Sequence, residues 1–144
     1  MTRPVRILMV EDNPGDVELT REALESGKLA LDLVVATNGA EALRMLRDGA
    51  GGSPPRTPDL VLLDLNLPGV GGRDVLAGIR EHQALRHIPV VILTSSDAES
   101  DILRTYELGA NCFVKKPVGL EAFERIVRNI QSFWFTVVRL PGQR

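Results

Sequence analysis

The arrangement of apolar and polar residues along this chain alternates between two patterns. Five short runs consist mostly of aliphatic residues, many of them β-branched, and such runs are typical of buried strands. Between the runs, apolar residues recur at steps of three and four, which is typical of helices with one buried face. The predicted strands are residues 5–10, 31–36, 60–63, 90–93 and 112–114.

The predicted helices begin and end at residues that favour helix termini. Asn13 followed by Pro14 suits the start of the first helix, and Gly27 suits its end. The Gly- and Pro-rich residues 49–58 are typical of a surface loop. A linker between two domains is not expected there, because both flanks of this segment belong to the same alternating pattern. Further helices are predicted at residues 37–49, around 75–79, at 99–108 and from 119 onward.

Five strands and five helices in strict alternation predict an α/β fold with a doubly wound parallel sheet. The flavodoxin-like strand order of such a sheet is 2-1-3-4-5, with its topological switch point between the first and third strands. Ligands of these sheets bind outside the carboxyl ends of the strands. We therefore expect the functional residues where the predicted strands end.

Composition excludes several classes of protein. The chain has 144 residues, of which 44% are hydrophobic and 25% charged, and these values suit one globular domain. A net charge of −2 leaves no electrostatic footprint for nucleic acid or an anionic membrane. No apolar run approaches the ~20 residues that cross a bilayer. The single cysteine, Cys112, cannot form a disulfide within the chain, so a cytoplasmic location is expected.

Residues suited to phosphoryl chemistry follow four of the predicted strands. Glu11 and Asp12 follow the first strand, and Asp64 follows the third. Thr94 ends the fourth strand, and Lys116 comes shortly after the fifth. A carboxylate cluster binds Mg²⁺, an ammonium group offsets phosphoryl charge, and one aspartate can accept a phosphoryl group. Carboxylates so close together would also repel one another without a compensating cation, which makes a purely structural role costly.

In type, order and approximate spacing, these residues resemble the signature of bacterial response-regulator receiver domains of the CheY-like class. The resemblance runs from about Val5 to Ile130. The matching segments are Glu11-Asp12, Asp64-Leu65-Asn66-Leu67-Pro68-Gly69, Thr94-Ser95-Ser96 and Lys116-Pro117.

The resemblance implies a role for each acidic residue. Asp64 would be the phosphoacceptor, forming an acyl phosphate. Asp12, Asp64 and the backbone carbonyl of Asn66 would coordinate Mg²⁺ together with waters. Glu11 would lie in the outer shell and orient a metal-bound water. Such a protein is not an enzyme in the usual sense, although it assists its own phosphotransfer and dephosphorylation.

The resemblance also implies a switch. Lys116 and Thr94 would each bind a phosphoryl oxygen. Thr94 would move toward the phosphoryl group, and Phe113 would turn into the vacated space. The face formed by the fourth helix, fifth strand and fifth helix would change its population of states accordingly. A cis bond between Lys116 and Pro117 is part of the same expectation.

The last predicted helix carries more apolar surface than a receiver domain can cover. From Gly119 the apolar positions form one stripe, which beyond Ile130 reaches the residues Phe133, Trp134, Phe135, Val137, Val138 and Leu140. Exposed aromatic surface of this kind favours an interface, and we expect a homodimer. Two alternatives are a tail that folds back on its own domain and a helix on a membrane surface. The second lacks the cluster of Lys and Arg that it needs.

Two further expectations concern organisation and partner. Residues 1–130 are predicted as the receiver domain and residues 131–144 as an extension of its last helix, with too few residues for an output domain. Residues 11–16, the extra loop before Asp59 and Ser132-Phe133-Trp134 near Leu140-Pro141 resemble the small regulators of bacterial and cyanobacterial phytochromes. That resemblance implies a phytochrome-type sensor histidine kinase as phosphodonor.

The same residues bear on two other functional classes. An interaction module that keeps the receiver shape but acts without phosphate would have no need for the acidic pocket, Thr94 and Lys116. A flavin or nucleotide binder would need a glycine-rich, neutral or basic first loop. Residues 11–16 are acidic instead, which argues against it.

Overall fold

The computed structural model describes residues 3–27 and 29–141. Five parallel strands form one sheet in the order β2-β1-β3-β4-β5, which confirms the predicted fold class. The strands are β1 (Val5–Val10), β2 (Leu31–Ala36), β3 (Leu60–Leu63), β4 (Val90–Thr94) and β5 (Cys112–Lys115). The α-helices in the described residues are α1 (Pro14–Glu25), α2 (Gly39–Ala50), α3 (Gly72–Glu81), α4 (Glu99–Glu107) and α5 (Leu120–Ser132).

Asparagine caps start the first two helices. The Asn13 side chain accepts a hydrogen bond from the Asp16 N–H at 3.1 Å, and Pro14 occupies the first turn of α1. The Asn38 side chain accepts from the Glu41 N–H at 2.8 Å at the start of α2. Each cap satisfies a backbone donor that the helix itself leaves free. The start predicted for α1 from Asn13-Pro14 is therefore confirmed.

The sheet separates two hydrophobic clusters because successive side chains of a strand point to opposite faces. One cluster packs strand residues such as Leu8, Val61 and Ile92 with α2 and α3. The other packs Ile7 and Leu62 among their neighbours with α1 and α5. β1, β3 and β4 are buried on both faces, as their continuous apolar runs predict. This packing fixes the carboxyl ends of the central strands, where the chemistry-bearing residues lie.

The C-terminal segment differs from the single long helix predicted for it. α5 ends at Ser132 and continues as a π-helical turn, Phe133–Val137, after which the backbone of Val138 is extended. Trp134 and Phe135 pack partly buried against the α1/α5 side of the core. The predicted boundary at residue 130 lies inside α5, so the division of the chain there stays a prediction.

Leu140 corrects the expectation that the whole apolar tail lies outside the domain. Leu140 is buried, although it lies beyond the π-helical turn and the extended residue Val138. Phe133 and Val137, by contrast, stay 50% and 69% exposed. The tail therefore both folds back on its own domain and leaves apolar groups in solvent.

Two further observations concern the backbone. The bond between Lys116 and Pro117 is not cis, contrary to the expectation. The cis bond in the described ranges joins Ser53 to Pro54. Within those ranges, no helix combines the length and the apolar character needed to cross a membrane.

Candidate functional site

Backbone hydrogen bonds fix the first residues beyond the strands. The Glu11 N–H donates to the Ala36 carbonyl at 3.0 Å, which continues the pairing of β1 with β2. The Asp64 N–H donates to the Val10 carbonyl at 3.1 Å, which continues the pairing of β3 with β1. The acidic side chains thus project from backbone that is held by the sheet.

Three carboxylates meet at this edge of the sheet. Glu11, Asp12 and Asp64 each offer an oxygen, and these oxygens all lie within 4.8 Å of one another. Glu11 and Asp64 are buried, whereas Asp12 is exposed. Carboxylate oxygens on one open side suit a hard divalent cation that keeps several of its waters. The donor set therefore fits Mg²⁺ or Mn²⁺.

Lys116 lies against this cluster. Its Nζ forms ion pairs with Glu11, with Asp16 Oδ2 at 2.8 Å and with Asp64 Oδ2 at 3.1 Å. Its side chain is only 10% exposed. A lysine ammonium group has three N–H donors, so one is available to each carboxylate. Burial disfavours the charge of Lys116, but hydrogen bonds to Asp16 and Glu11 outweigh it and raise its pKa.

Asp64 is held at both carboxylate oxygens. Oδ1 accepts from the Thr94 hydroxyl at 2.7 Å and from the Asn66 N–H at 3.1 Å, while Oδ2 faces Lys116. Burial would raise the pKa of Asp64, but the bonds from Thr94, Asn66 and Lys116 together hold it below its usual value. Asp64 is therefore ionised at neutral pH, as a nucleophilic carboxylate must be.

Glu11 has the opposite character in the same pocket. Burial and the nearby charge of Asp64 raise the pKa of Glu11 to about 7, although Lys116 and the Asn13 N–H oppose the change. One buried carboxylate is thus strongly stabilised in its ionised form and its neighbour is not.

The other predicted site residues lie around this pocket. The Asn66 side chain donates to Thr94 Oγ1 at 3.4 Å, and Asn66 itself is exposed. Phe113 lies on β5, half-buried against the cluster on the α2/α3 side. Its N–H donates to the Tyr106 hydroxyl on α4 at 3.1 Å. The metal-ligand role of the Asn66 carbonyl and the switch role of Phe113 stay predictions.

Sequence reasoning missed Asp16 as part of the pocket. It lies in the first turn of α1, which begins directly after the loop from β1. A signal was present, because a helix that starts at the carboxyl edge of a sheet places its first turn beside the strand-end residues. A second unpredicted group lies nearby: Asp101 on α4 pairs with Arg73 on α3 and accepts from the Ser96 hydroxyl at 2.6 Å.

A doubly wound sheet with an acidic cluster, a lysine that is 10% exposed and a buried hydroxyl at its switch point is the arrangement expected of a receiver-type signalling domain. The sequence model of the protein family 'response regulator receiver domain' matches residues 7–128 of this chain. The chain belongs to this family, and the resemblance inferred from the sequence is confirmed.

Similar proteins narrow the relationship. The chain is 41% identical over 140 residues to response regulator Rcp1 of Synechocystis sp., covering 96% of this chain and 95% of that protein. The crystal structure of the phosphorylated cyanobacterial phytochrome response regulator RcpA has a TM-score of 0.91 and 39% identity. That match covers 97% of this chain and all of the other.

A second similar structure bears on metal binding. It is the Mn²⁺-bound form of response regulator Rcp1, with a TM-score of 0.89 and 39% identity over 96% of this chain and all of that one. The protein described here is thus a receiver-type response regulator related to phytochrome response regulators, with an acidic cluster suited to a divalent cation.

Proposed function

We propose that this response regulator accepts a phosphoryl group on Asp64 in a Mg²⁺-dependent reaction. The observation that carries the proposal is the state of Asp64, a buried carboxylate with a lowered pKa that contacts both Thr94 and Lys116. Its oxygen would attack phosphorus, the bond to the donor's leaving group would break, and an acyl phosphate would form.

The acidic residues would contribute to the metal site in different ways. Asp12, Asp64 and the Asn66 carbonyl would hold the cation, and Glu11 would orient one of its waters. When bound, the cation would supply positive charge that offsets the negative charge of the incoming phosphoryl group. The spacing of the three carboxylates and the exposure of Asp12 support this assignment.

Lys116 and Thr94 would redirect their hydrogen bonds from Asp64 to phosphoryl oxygens. The hydroxyl of Thr94 would move toward the new group, and Phe113 would turn inward behind it. The Phe113 N–H donates to the Tyr106 hydroxyl, so β5 and α4 are in contact at this position. Phosphorylation would then shift the population of the α4–β5–α5 face, where Leu103 and Tyr106 are exposed. The same pocket would assist hydrolysis of the acyl phosphate.

We further propose a sensor histidine kinase of the phytochrome type as the phosphodonor. The similarity to a phytochrome response regulator over nearly the whole chain supports it. A donor that draws on ATP would place the protein in the cytoplasm.

We also propose a homodimer through the C-terminal segment Phe133, Trp134, Phe135, Val137 and Val138, of which Phe133 and Val137 are the exposed members.

The proposal is tested by intact-mass spectrometry after incubation with acetyl phosphate and Mg²⁺. We expect one added phosphate on the wild type and none on Asp64→Asn, because the amide cannot form the acyl phosphate. Asp59→Asn is unsuitable as a control since Asp59 is buried and paired with Arg3. The exposed residue Asp48 offers a matched control, and Asp48→Asn should be phosphorylated like the wild type.

Other outcomes would contradict the assignment. An adduct retained by Asp64→Asn would place the phosphoacceptor elsewhere. No adduct on folded wild type, even in rapidly quenched samples, would favour a receiver-shaped interaction module that acts without phosphate.

A further inference from the structure

Asp16 is a carboxylate of the pocket that the expected receiver chemistry leaves without a role. It lies on α1, and its Oδ2 is 2.8 Å from Lys116 Nζ. Its backbone is held on both sides: its N–H donates to the Asn13 side chain at 3.1 Å, and its carbonyl accepts from the Thr20 hydroxyl at 2.7 Å. The backbone of Asp16 is therefore held in place, and its short side chain presents a carboxylate to Lys116.

The three partners of Lys116 differ in what happens to them during the reaction. Asp64 changes from a carboxylate to an acyl phosphate, so the oxygen that faces Nζ loses its charge. Glu11 belongs to the carboxylate cluster that fits a cation. Asp16 is not a member of that cluster and forms no bond to the reacting groups. Of these three partners, Asp16 is the one that lies outside both the carboxylate cluster and the phosphoacceptor.

We propose that Asp16 is a positioning residue that holds the Lys116 ammonium group at the phosphoacceptor during phosphoryl transfer. The inference rests on the proposed function of Asp64. A lysine side chain has four rotatable bonds, and a point charge contributes to phosphoryl transfer only where it is placed. The hydrogen bond to Asp16 restrains Lys116 Nζ while another of its N–H groups changes its acceptor from Asp64 to the phosphoryl oxygen.

The experiment measures the rate of acyl phosphate formation on Asp16→Asn with varied acetyl phosphate at saturating Mg²⁺. Asparagine keeps the shape but removes the charge, and we expect a maximal rate lower by about 10-fold, the effect of weakening one charged hydrogen bond. The half-saturating concentrations of acetyl phosphate and Mg²⁺ should stay close to those of the wild type. Glu18→Gln is the matched control: it removes an exposed carboxylate from the same helix and should leave the rate unchanged.

A second comparison separates positioning of Lys116 from a general effect on structure. In the Lys116→Met background, Asp16→Asn should cause no further loss, because the group that it positions is gone. Asp16→Glu, which keeps an acceptor within reach of Nζ, should recover part of the rate. Asp16→Ser serves as a second substitution if Asp16→Asn folds poorly.

Several results would overturn the inference. A wild-type or faster rate in Asp16→Asn would mean that Asp16 does not assist Lys116. An equal loss in the wild-type and Lys116→Met backgrounds would assign its effect to something other than Lys116. If the wild type itself gained no phosphate, the proposed function of Asp64 would be wrong, and the role of Asp16 would fall with it. A phosphorylated wild type with an unaffected Asp16→Asn variant would contradict the role of Asp16 alone.

Discussion

At the scale of single residues, the pocket separates two buried carboxylates by their surroundings. Hydrogen bonds from Thr94, Asn66 and Lys116 outweigh burial and lower the pKa of Asp64. Burial and the charge of Asp64 raise the pKa of Glu11 to about 7. Opposite pKa shifts in neighbouring acids are a mark of divided chemical roles. They favour Asp64 as the nucleophile and Glu11 as a residue that acts around it.

Asp12 is the residue at which metal binding is tested most directly. It is exposed, so Asp12→Asn should fold like the wild type while removing one carboxylate from the cluster. A cation that binds only the folded protein stabilises it by about 2.7 kcal/mol at a hundredfold excess over Kd. We expect Mg²⁺ to raise the melting temperature of the wild type and to have little effect on Asp12→Asn.

Thermal unfolding over a series of Mg²⁺ concentrations measures both effects. Asp48→Asn, which removes an exposed carboxylate outside the cluster, should keep the full Mg²⁺-dependent increase. An undiminished increase in Asp12→Asn would remove Asp12 from the metal site.

The sequence predicted residues whose positions follow from strand ends, and missed those that depend on packing. Glu11, Asp64 and Thr94 come together because neighbouring parallel strands end at one edge. Asp16 reaches Lys116 across 100 positions of sequence, through the placement of α1 beside the loop after β5. The start of α1 directly after β1 indicated the correct edge of the sheet, but which side chain of its first turn faces Lys116 depends on how the helix packs.

At the scale of elements, the joint between β3 and α3 positions the phosphoacceptor. Gly72 begins α3 and is buried against the end of β3. A Cβ at this position would lie 2.2 Å from the Asp64 carbonyl oxygen and 2.7 Å from the Leu65 Cα. Both are backbone atoms, which cannot yield as a flexible side chain can. The close approach of helix and strand therefore requires glycine here.

Gly72→Ala should consequently lower the free energy of unfolding by about 1–3 kcal/mol, the usual effect of overpacking. Gly71→Ala is the matched control, because its Cβ would meet no atom closer than 3.9 Å. Its effect should stay below about 1 kcal/mol, the value of a changed helix cap. Urea denaturation of the three proteins gives the comparison. Equal stability of the two variants would contradict the argument from close packing.

The C-terminal element shows where periodicity stops predicting structure. Apolar steps of three and four run from Phe123 through Val137, so one long helix is the natural interpretation. The chain instead forms a π-helical turn at Phe133–Val137 and becomes extended at Val138. Trp134 packs against the protein's own core and Leu140 is buried. These positions depend on the space that the folded domain offers, which the local pattern of apolar residues does not encode.

At the scale of the whole molecule, the site and the exposed tail lie on separate parts of the fold. The acidic cluster lies where β1 and β3 end, whereas the π-helical turn continues α5. α5 packs against α1, and the buried Gln131 side chain donates to the Leu24 carbonyl at 3.4 Å. α5 is thus joined to the helix that carries Asp16, while Phe133 and Val137 beyond it stay exposed.

The proposed dimer can be tested without disturbing the folded-back part of the tail. Phe133 and Val137 are exposed, so the double substitution Phe133→Ser with Val137→Ser should leave the fold intact while removing the apolar contact. We expect sedimentation velocity to give a dimer for the wild type and a monomer for this variant at the same concentration. Leu103→Ser, which removes a 61% exposed residue from α4, should remain dimeric. A monomeric wild type would exclude the dimer, and dissociation by Leu103→Ser alone would move the interface to α4.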